Sequence, residues 1–241
     1  MIRLLQAASN PALLARFSDE FKIPPLDASG LPVDRIIEKY SDFEMPRKLT
    51  TAVELVRRLV GQGKKVLVWT AFIHNIITLR GLLADVSPAI IYGDVPKDDS
   101  EDASFNREAI IHSFKTTATQ RVLIANPSAC AESVSLHTAC HDAIYLDRTF
   151  NAAHYMQSLD RIHRVGLDKG VKTRYYILKS EDSIDDVIDQ RLEDKIGRML
   201  QALSDDLGVI SLDAAAEDVT EDNEEAADFD ALIDSLRARV A

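Results

Sequence analysis

The sequence contains little cysteine and no long apolar run. Its 241 residues include two cysteines, Cys130 and Cys140, too few for a disulfide framework and typical of a reducing compartment. No apolar stretch approaches the ~20 residues that cross a bilayer. Met1 leads directly into an amphipathic segment that contains Arg3, so no signal peptide is predicted. These absences predict a cytoplasmic protein without a membrane partner.

The motifs that usually hold a nucleotide phosphate are also missing. No GxxxxGK[ST] segment occurs, and the fragment GQGKK at residues 61–65 lacks both its spacing and its magnesium-binding hydroxyl. No acidic pair of the DEAD or DEAH type follows a buried strand. The chain alone is therefore not expected to bind and hydrolyse ATP by the usual route.

The net charge of −11 is concentrated at one end of the chain. Residues 205–241 contain twelve acidic residues and two arginines, which leaves the rest of the chain close to neutral. The overall charge therefore neither supports nor excludes a partner with a phosphate backbone.

Short apolar runs alternate with amphipathic segments, which is typical of parallel βαβ units. The pattern predicts an α/β fold, a RecA-like parallel sheet sandwiched by helices, with a C-terminal helix and an acidic tail. We predict a leading helix and connector over 1–47, a lobe with its packing helix over 48–204, and a tail over 205–241. Predicted strands cover 65–70, 89–92, 121–125, 143–146 and 173–178; predicted helices cover 1–17, 34–40, 48–61, 75–84, 102–114, a segment from 151 through Arg164, and 183–203.

The tail is predicted to be disordered over 205–227, because it is acidic and rich in alanine. A stripe of apolar residues after it predicts a small helix over 228–241, which would dock weakly on the lobe or on a partner. The tail is expected to be dispensable for folding. The stripe consists of Phe229, Leu232, Ile233 and Leu236.

The segment QSLDRIHRVG at residues 157–166 carries two arginines, Arg161 and Arg164, which share one face of a helix. Guanidinium groups bind phosphate oxygens in pairs and suit the charge that develops during phosphoryl transfer. The alternative is a solvated helix face with ordinary ion pairs. Polar residues at the ends of two predicted strands, Asn126 and Asp147, favour the first interpretation. Ligands bind at the carboxyl ends of parallel strands, so both residues and the arginine helix are expected at that edge.

Several segments together resemble a known family. QSLDRIHRVG resembles motif VI of the superfamily-two helicases, in the form found in Swi/Snf-type helicase-like ATPases, and IYLDRTFNAAHYMQ resembles the stretch before it. VLIANPSACAESVSLHTA resembles motif V, KKVLVWTAF resembles motif IV, and IRLLQAASNPALLA resembles the opening of the second lobe. The resemblance covers roughly residues 2–200, and its segments follow the order of the family.

The resemblance implies that the chain is the C-terminal lobe of a two-lobe, nucleic-acid-dependent ATPase that translocates on or remodels DNA. Arg161 and Arg164 would reach the γ-phosphate of ATP, with Arg164 as the arginine finger. The other implied ATP-binding residues are Gln157, Glu132, Ser133 and Ser135. The implied nucleic-acid contacts are Thr70, Phe72, Asn126 and Ser128.

The resemblance also implies partners and cofactors. ATP and Mg²⁺ would be bound mainly by an N-terminal RecA-like lobe, in the same parent chain or in a split subunit. The nucleic acid would be double-stranded DNA, which places the protein in the cytoplasm, nucleoid or nucleus. No metal site is predicted in the chain, because the spacing of Cys130, His137, Cys140 and His141 does not match paired zinc ligands.

Motif V departs from the family pattern. Ala131 and Ser133 replace its glycines, Ser135 replaces its asparagine, and Pro127 stands where a threonine normally contacts the nucleic-acid backbone. An alternative function therefore stays open: a non-catalytic RecA-like scaffold whose acidic tail recruits a partner. A sugar-nucleotide glycosyltransferase lobe is a more remote alternative, since it gives no reason for the pattern QxxDRxHR.

Overall fold

A computed structural model describes residues 1–93, 106–130, 135–163, 170–205 and 221–240. Its sheet has five strands in the order β2-β3-β1-β4-β5, and every neighbouring pair is parallel. The predicted α/β fold, with a RecA-like parallel sheet, is confirmed. The strands are β1 (Val66–Trp69), β2 (Ala89–Ile91), β3 (Val122–Ala125), β4 (Asp142–Tyr145) and β5 (Arg174–Ile177).

Helices connect the strands and flank the sheet. The leading helix is shorter than predicted, because Pro11 cannot continue it and Asn10 Oδ1 instead accepts a hydrogen bond from Ala12 N–H at 3.1 Å. A 3₁₀ turn, Pro11–Ala15, follows it. The α-helices in the described residues are α1 (Ile2–Ser9), α2 (Asp34–Glu38), α3 (Tyr40–Phe43), α4 (Arg47–Gly61), α5 (Ile73–Leu82), α6 (Arg107–Thr116), α7 (Ala152–Asp160), α8 (Ile184–Asp205) and α9 (Glu221–Val240). None of them has the length and apolar character needed to cross a membrane.

The two faces of the sheet pack against different helices. Successive strand residues point to opposite faces, so Val66 and Val68 join α4 and α5 in one core. Leu67 and Trp69 point the other way and pack with residues of α6 and α7. Both faces are covered, which explains why the strands read as continuous apolar runs rather than as alternating patterns.

A third core closes the carboxyl edge of the sheet. Leu5 of α1, Phe72 after β1 and Ile188 of α8 meet there with Leu232 of α9. The leading and the trailing parts of the chain therefore pack on the same edge of the lobe.

The acidic tail ends in a helix that docks on α8. Helix α9 begins at Glu221, seven residues before the predicted start, so residues 221–227 are helical rather than disordered. Of the predicted apolar stripe, Leu232 is 3% exposed, whereas Phe229 is 50% exposed. Asp228 is also buried and pairs with Arg191 of α8 at 2.7 Å and with Lys195 at 2.8 Å.

Truncation after Asp205 is expected to destabilise the lobe, contrary to the expectation from composition. Burial of a leucine side chain contributes about 2 kcal/mol, and removal of α9 also takes the carboxylate of Asp228 from two cations. For a chain of this size, a loss of about 2 kcal/mol corresponds to a decrease in Tm of about 4 to 8 °C. Thermal unfolding of the truncated and full chains measures it, and equal melting temperatures would show that α9 contributes nothing to stability.

Candidate functional site

Asp147 connects four segments at the carboxyl edge of the sheet. Its side chain is fully buried just after β4 and accepts hydrogen bonds from Ser9 Oγ at 2.7 Å, Thr70 Oγ1 at 2.8 Å and Ala71 N–H at 2.6 Å. Asn75 Nδ2 lies 3.4 Å from the same carboxylate. Because β1 and β4 are adjacent, the carboxylate joins their two ends to α1 and α5.

The same network extends to the turn that opens the lobe. Asn75 donates to Ser9 Oγ at 3.0 Å and accepts from Asn10 Nδ2 at 2.9 Å. Burial raises the pKa of the Asp147 carboxyl, while hydrogen bonds from Ala71 and Ser9 oppose that increase. Sequence reasoning placed Asp147 at this edge but missed Ser9 and Asn75. Both residues lie in helices that contain several other polar residues, so the local sequence gave no signal that would single them out.

Asn126 shapes the neighbouring strand end. Its side-chain amide donates to the carbonyl of Ala71 at 2.6 Å, and its Oδ1 accepts from the Ser128 N–H at 2.9 Å and hydroxyl at 2.5 Å. Asn126 is buried, whereas Ser128 is exposed in the 3₁₀ turn Pro127–Cys130. Of these two predicted nucleic-acid contacts, Ser128 is the one that solvent reaches.

Two other predicted nucleic-acid contacts lie in the interior. Thr70 is fully buried and its hydroxyl donates to Asp147. Phe72 is fully buried against Phe21, with ring centroids 5.6 Å apart. Both nucleic-acid contacts stay predictions, and in this conformation the leading segment covers the two side chains.

The arginine-bearing helix does not stay at the carboxyl edge, so the prediction that it lies there with Asn126 and Asp147 is wrong. Helix α7 starts at that edge, where Ala152 is buried in the third core, and runs back across the sheet. The carbonyl oxygen of Ile162 lies 3.5 Å from Thr173 Oγ1, directly before β5. A helix between parallel strands must return to the edge where the next strand begins. Its nine residues separate the two regions by ~13 Å.

Motifs V and VI meet at the end of α7. The Leu136 N–H donates to the Arg161 carbonyl at 2.7 Å, which places Ser135 beside the turn after the helix. Ser135 Oγ lies 2.7 Å from His137 Nδ1. Arg161 is 6% exposed, and Gln157, one helical turn earlier, is half-buried on the same face. The backbone thus brings the predicted ATP-binding residue Ser135 close to the end of α7, where the predicted catalytic residue Arg161 follows Gln157 by one helical turn.

Three predicted site residues, Glu132, Ser133 and Arg164, lie outside the described residues. Among the described residues, no group of three or more His, Cys, Asp or Glu side chains could hold a metal ion. Cys140 is buried, and its thiol lies 3.4 Å from the carbonyl oxygens of Lys65 and Asp142. Burial raises the pKa of that thiol to about 12, which makes it a poor metal ligand or nucleophile.

Comparison with known protein families identifies the family of this domain. Residues 47–166 match the family described as the helicase conserved C-terminal domain. The chain belongs to this family. The match includes β1, β3, β4 and α7, and it ends at the final residue of QSLDRIHRVG.

Relatives of this helicase C-terminal domain include much longer proteins. It is 29% identical over 149 residues to the SWI/SNF-related matrix-associated actin-dependent regulator of chromatin subfamily A-like protein 1 homolog of Caenorhabditis elegans, covering 62% of this chain and 19% of that protein. It is 27% identical over 155 residues to an uncharacterized ATP-dependent helicase of Mycoplasma genitalium, covering 64% of this chain and 14% of the relative. The chain thus spans less than a fifth of the length of either relative.

A solved structure has the same fold. The crystal structure of the C-terminal part of the Fun30 ATPase domain superposes with a TM-score of 0.54 at 18% identity, covering 95% of this chain and 74% of that one. The predicted resemblance to the C-terminal RecA-like lobe of Swi/Snf-type helicase-like ATPases is confirmed.

Proposed function

We propose that this helicase C-terminal domain is the second lobe of an ATP-dependent motor that moves on nucleic acid. The observation that carries the proposal is the hydrogen bond from Leu136 to Arg161, which holds the motif V segment against the arginine-bearing turn. This backbone contact supports a site in which Ser135 of motif V lies near Gln157 and Arg161 of motif VI. Such a group suits the polyphosphate of a nucleotide held mainly by another lobe.

Helix α7, which is ~13 Å long, separates the proposed ATP-binding region at its C-terminal end from the proposed nucleic-acid track at the carboxyl edge. At its C-terminal end, Arg161 and Arg164 bring positive charge to the γ-phosphate when the two lobes close, with Arg164 as the arginine finger. ATP would supply the phosphoryl group, and its Mg²⁺ would be held mainly by the N-terminal lobe.

The carboxyl edge is the proposed nucleic-acid track. Ser128 is the direct contact, since its side chain is exposed beside the ordered Asn126. Thr70, Phe72 and Asn126 support the track from within by fixing the strand ends. The proposed substrate is double-stranded DNA, along which alternating closure and opening of the lobes would move the motor.

The domain alone is expected to show negligible ATP hydrolysis, with or without DNA, because it contributes only part of a nucleotide site. Addition of an N-terminal lobe that carries the P-loop, in one polypeptide or as a separate subunit, is expected to give DNA-stimulated hydrolysis. A coupled phosphate-release assay measures both states. Turnover of ~1 per second by the isolated domain would contradict the proposal, since that rate is within the normal enzyme range.

The same assay tests the scaffold alternative. Helix α9 leaves Phe229 and Leu236 exposed, which offers a partner an apolar contact. If DNA never stimulates hydrolysis in the two-lobe protein, while removal of α9 abolishes capture of a partner, the domain is a scaffold rather than part of a motor.

A further inference from the structure

The loop that leads into α7, residues 147–150, contacts several neighbouring elements. Asp147, at its start, is fixed to the sheet edge. Arg148, the next residue, pairs with Asp189 of α8 at 2.5 Å and lies over the ring of Tyr155, 5.3 Å from its centroid. Lys195, also on α8, donates from Nζ to the carbonyl of Phe150 at 2.9 Å.

The contact at Phe150 lies next to the start of the helix. Asn151 is the N-cap of α7, and its Oδ1 accepts from the His154 N–H at 2.9 Å. The Tyr155 N–H donates to the Asn151 carbonyl at 3.1 Å. A displaced Phe150 carbonyl would therefore disturb the first turn of α7, at the other end of which Arg161 lies.

Lys195 has a counter-charge on the C-terminal helix. Its ammonium lies 2.8 Å from Asp228 Oδ2 of α9, and the two side chains are 6% and 3% exposed. A carboxylate beside a buried ammonium stabilises its charge and fixes its position. Loss of the Asp228 carboxylate would favour rotation of Lys195 toward water and away from Phe150.

Two buried side chains anchor α9. Asp228 and Leu232 are one helical turn apart and are the two buried residues of this helix among those with described side chains. The other acidic residues with described side chains, Asp230 and Asp234, are exposed. A helix docked on α8 can be displaced by a competing basic or apolar partner without unfolding of the sheet.

We infer that Lys195 and Asp228 are positioning residues through which docking of the acidic C-terminal helix holds the start of α7, and with it the arginine-bearing turn. The structural part of this inference stands without the proposed function; its consequence for ATP hydrolysis rests on that function. Undocking of α9 loosens α7 and lowers turnover, and docking restores both.

Amide hydrogen exchange of the full chain, followed by NMR, tests the inference. Lys195→Met keeps the apolar stem but removes the donor, and Asp228→Asn removes the charge with no change in size. In both variants the amides of His154 and Tyr155 are expected to exchange about tenfold faster, while those of the central strands β1 and β3 remain as in the wild type. Lys195→Arg, which keeps charge and donor, is expected to restore slow exchange.

The control is Asp234→Asn, in the same helix, where the carboxylate is 77% exposed and lies 3.7 Å from Arg237. It is expected to change none of these rates. Unchanged exchange at His154 and Tyr155 in Asp228→Asn overturns the inference, and so does an equal increase at every amide, which would indicate general destabilisation. If Lys195→Met does not fold, the exchange rates of His154 and Tyr155 in the isosteric Asp228→Asn test the inference.

Activity separates this inference from the proposed function. In a two-lobe protein that hydrolyses ATP, Lys195→Met is expected to lower kcat about tenfold, with nucleotide affinity unchanged, as a positioning effect predicts. An unchanged kcat overturns the link from α7 to turnover. If the wild-type two-lobe protein hydrolyses no ATP while the exchange rates respond as expected, the proposed function fails and the positioning role stands.

Discussion

Arg164→Ala is expected to abolish DNA-stimulated ATP hydrolysis in a protein that joins this domain to a P-loop lobe, while nucleotide affinity stays nearly unchanged. An arginine finger acts on charge that develops in the transition state, and its contribution is about 10³ to 10⁵ in rate. Arg164 occupies the second arginine position of motif VI, three residues after Arg161. It lies outside the described residues, so the prediction rests on the family pattern. The measurement is kcat beside the nucleotide Kd.

The matched control is Arg80→Ala, which removes an exposed arginine in the last turn of α5, a helix on the opposite face of the sheet from α7. It is expected to leave kcat within about twofold of the wild type, as for a surface charge distant from the chemistry. If Arg164→Ala lowers kcat less than about tenfold, which corresponds to about 1.4 kcal/mol, Arg164 is not the arginine finger.

Asp147→Ala is expected to lower the free energy of unfolding by at least about 3 kcal/mol at pH 7, because each buried donor left without an acceptor costs about 1 to 3 kcal/mol. The Ala71 N–H is fixed in the backbone and cannot turn to another acceptor. The hydroxyls of Ser9 and Thr70 lose the same partner. Chemical denaturation measures the change.

Asp85→Ala provides the comparison. Asp85 pairs with Arg57 at 2.9 Å, but both side chains are about half exposed. An exposed ion pair contributes about 0 to 1 kcal/mol, so this variant should unfold almost like the wild type. Equal effects of Asp147→Ala and Asp85→Ala would show that the buried network does not hold the strand ends together.

The free energy of unfolding is also expected to depend on pH through Asp147. Its pKa is raised by burial above the ordinary 3.8, so the folded state holds this proton at pH values where the unfolded chain has lost it. The part of the stability that is linked to this proton is therefore fully present below pH 3.8 and is lost as the pH rises through the raised pKa, whereas the hydrogen bonds that Asp147 accepts are present at pH 7.

Local patterns predicted most of the fold. Short apolar runs predicted the buried strands. For example, the predicted run 65–70 contains the strand Val66–Trp69. Helix α4 likewise ends at Gly61, as predicted from the sequence. The helix opening the chain was predicted too long, because Asn10-Pro11 ends it by turn chemistry that a hydrophobic pattern does not register.

The candidate site was predicted less well than the fold. The arginine pattern of residues 157–166 identified the family, because residue types and their spacing are properties of the local sequence. The predicted helix through Arg164 was too long, since α7 ends at Asp160 and Arg161 is its C-cap. Thr70 and Phe72 were assigned to a nucleic-acid surface, whereas both are buried under the leading segment. These strand-end residues are covered by residues more than fifty positions away in the chain. Local sequence patterns therefore cannot predict their burial.

The sequence by itself thus determined the class of fold and the family, because periodicity and the residue types of short motifs are properties of local sequence. Only the tertiary structure decided that Asp147 binds four segments together, that Leu136 holds Arg161, and that the acidic tail returns as a docked helix. Contacts of this kind join residues far apart in the chain. Their partners are selected by packing and by the need to satisfy buried polar groups, which become defined only when the whole lobe has folded.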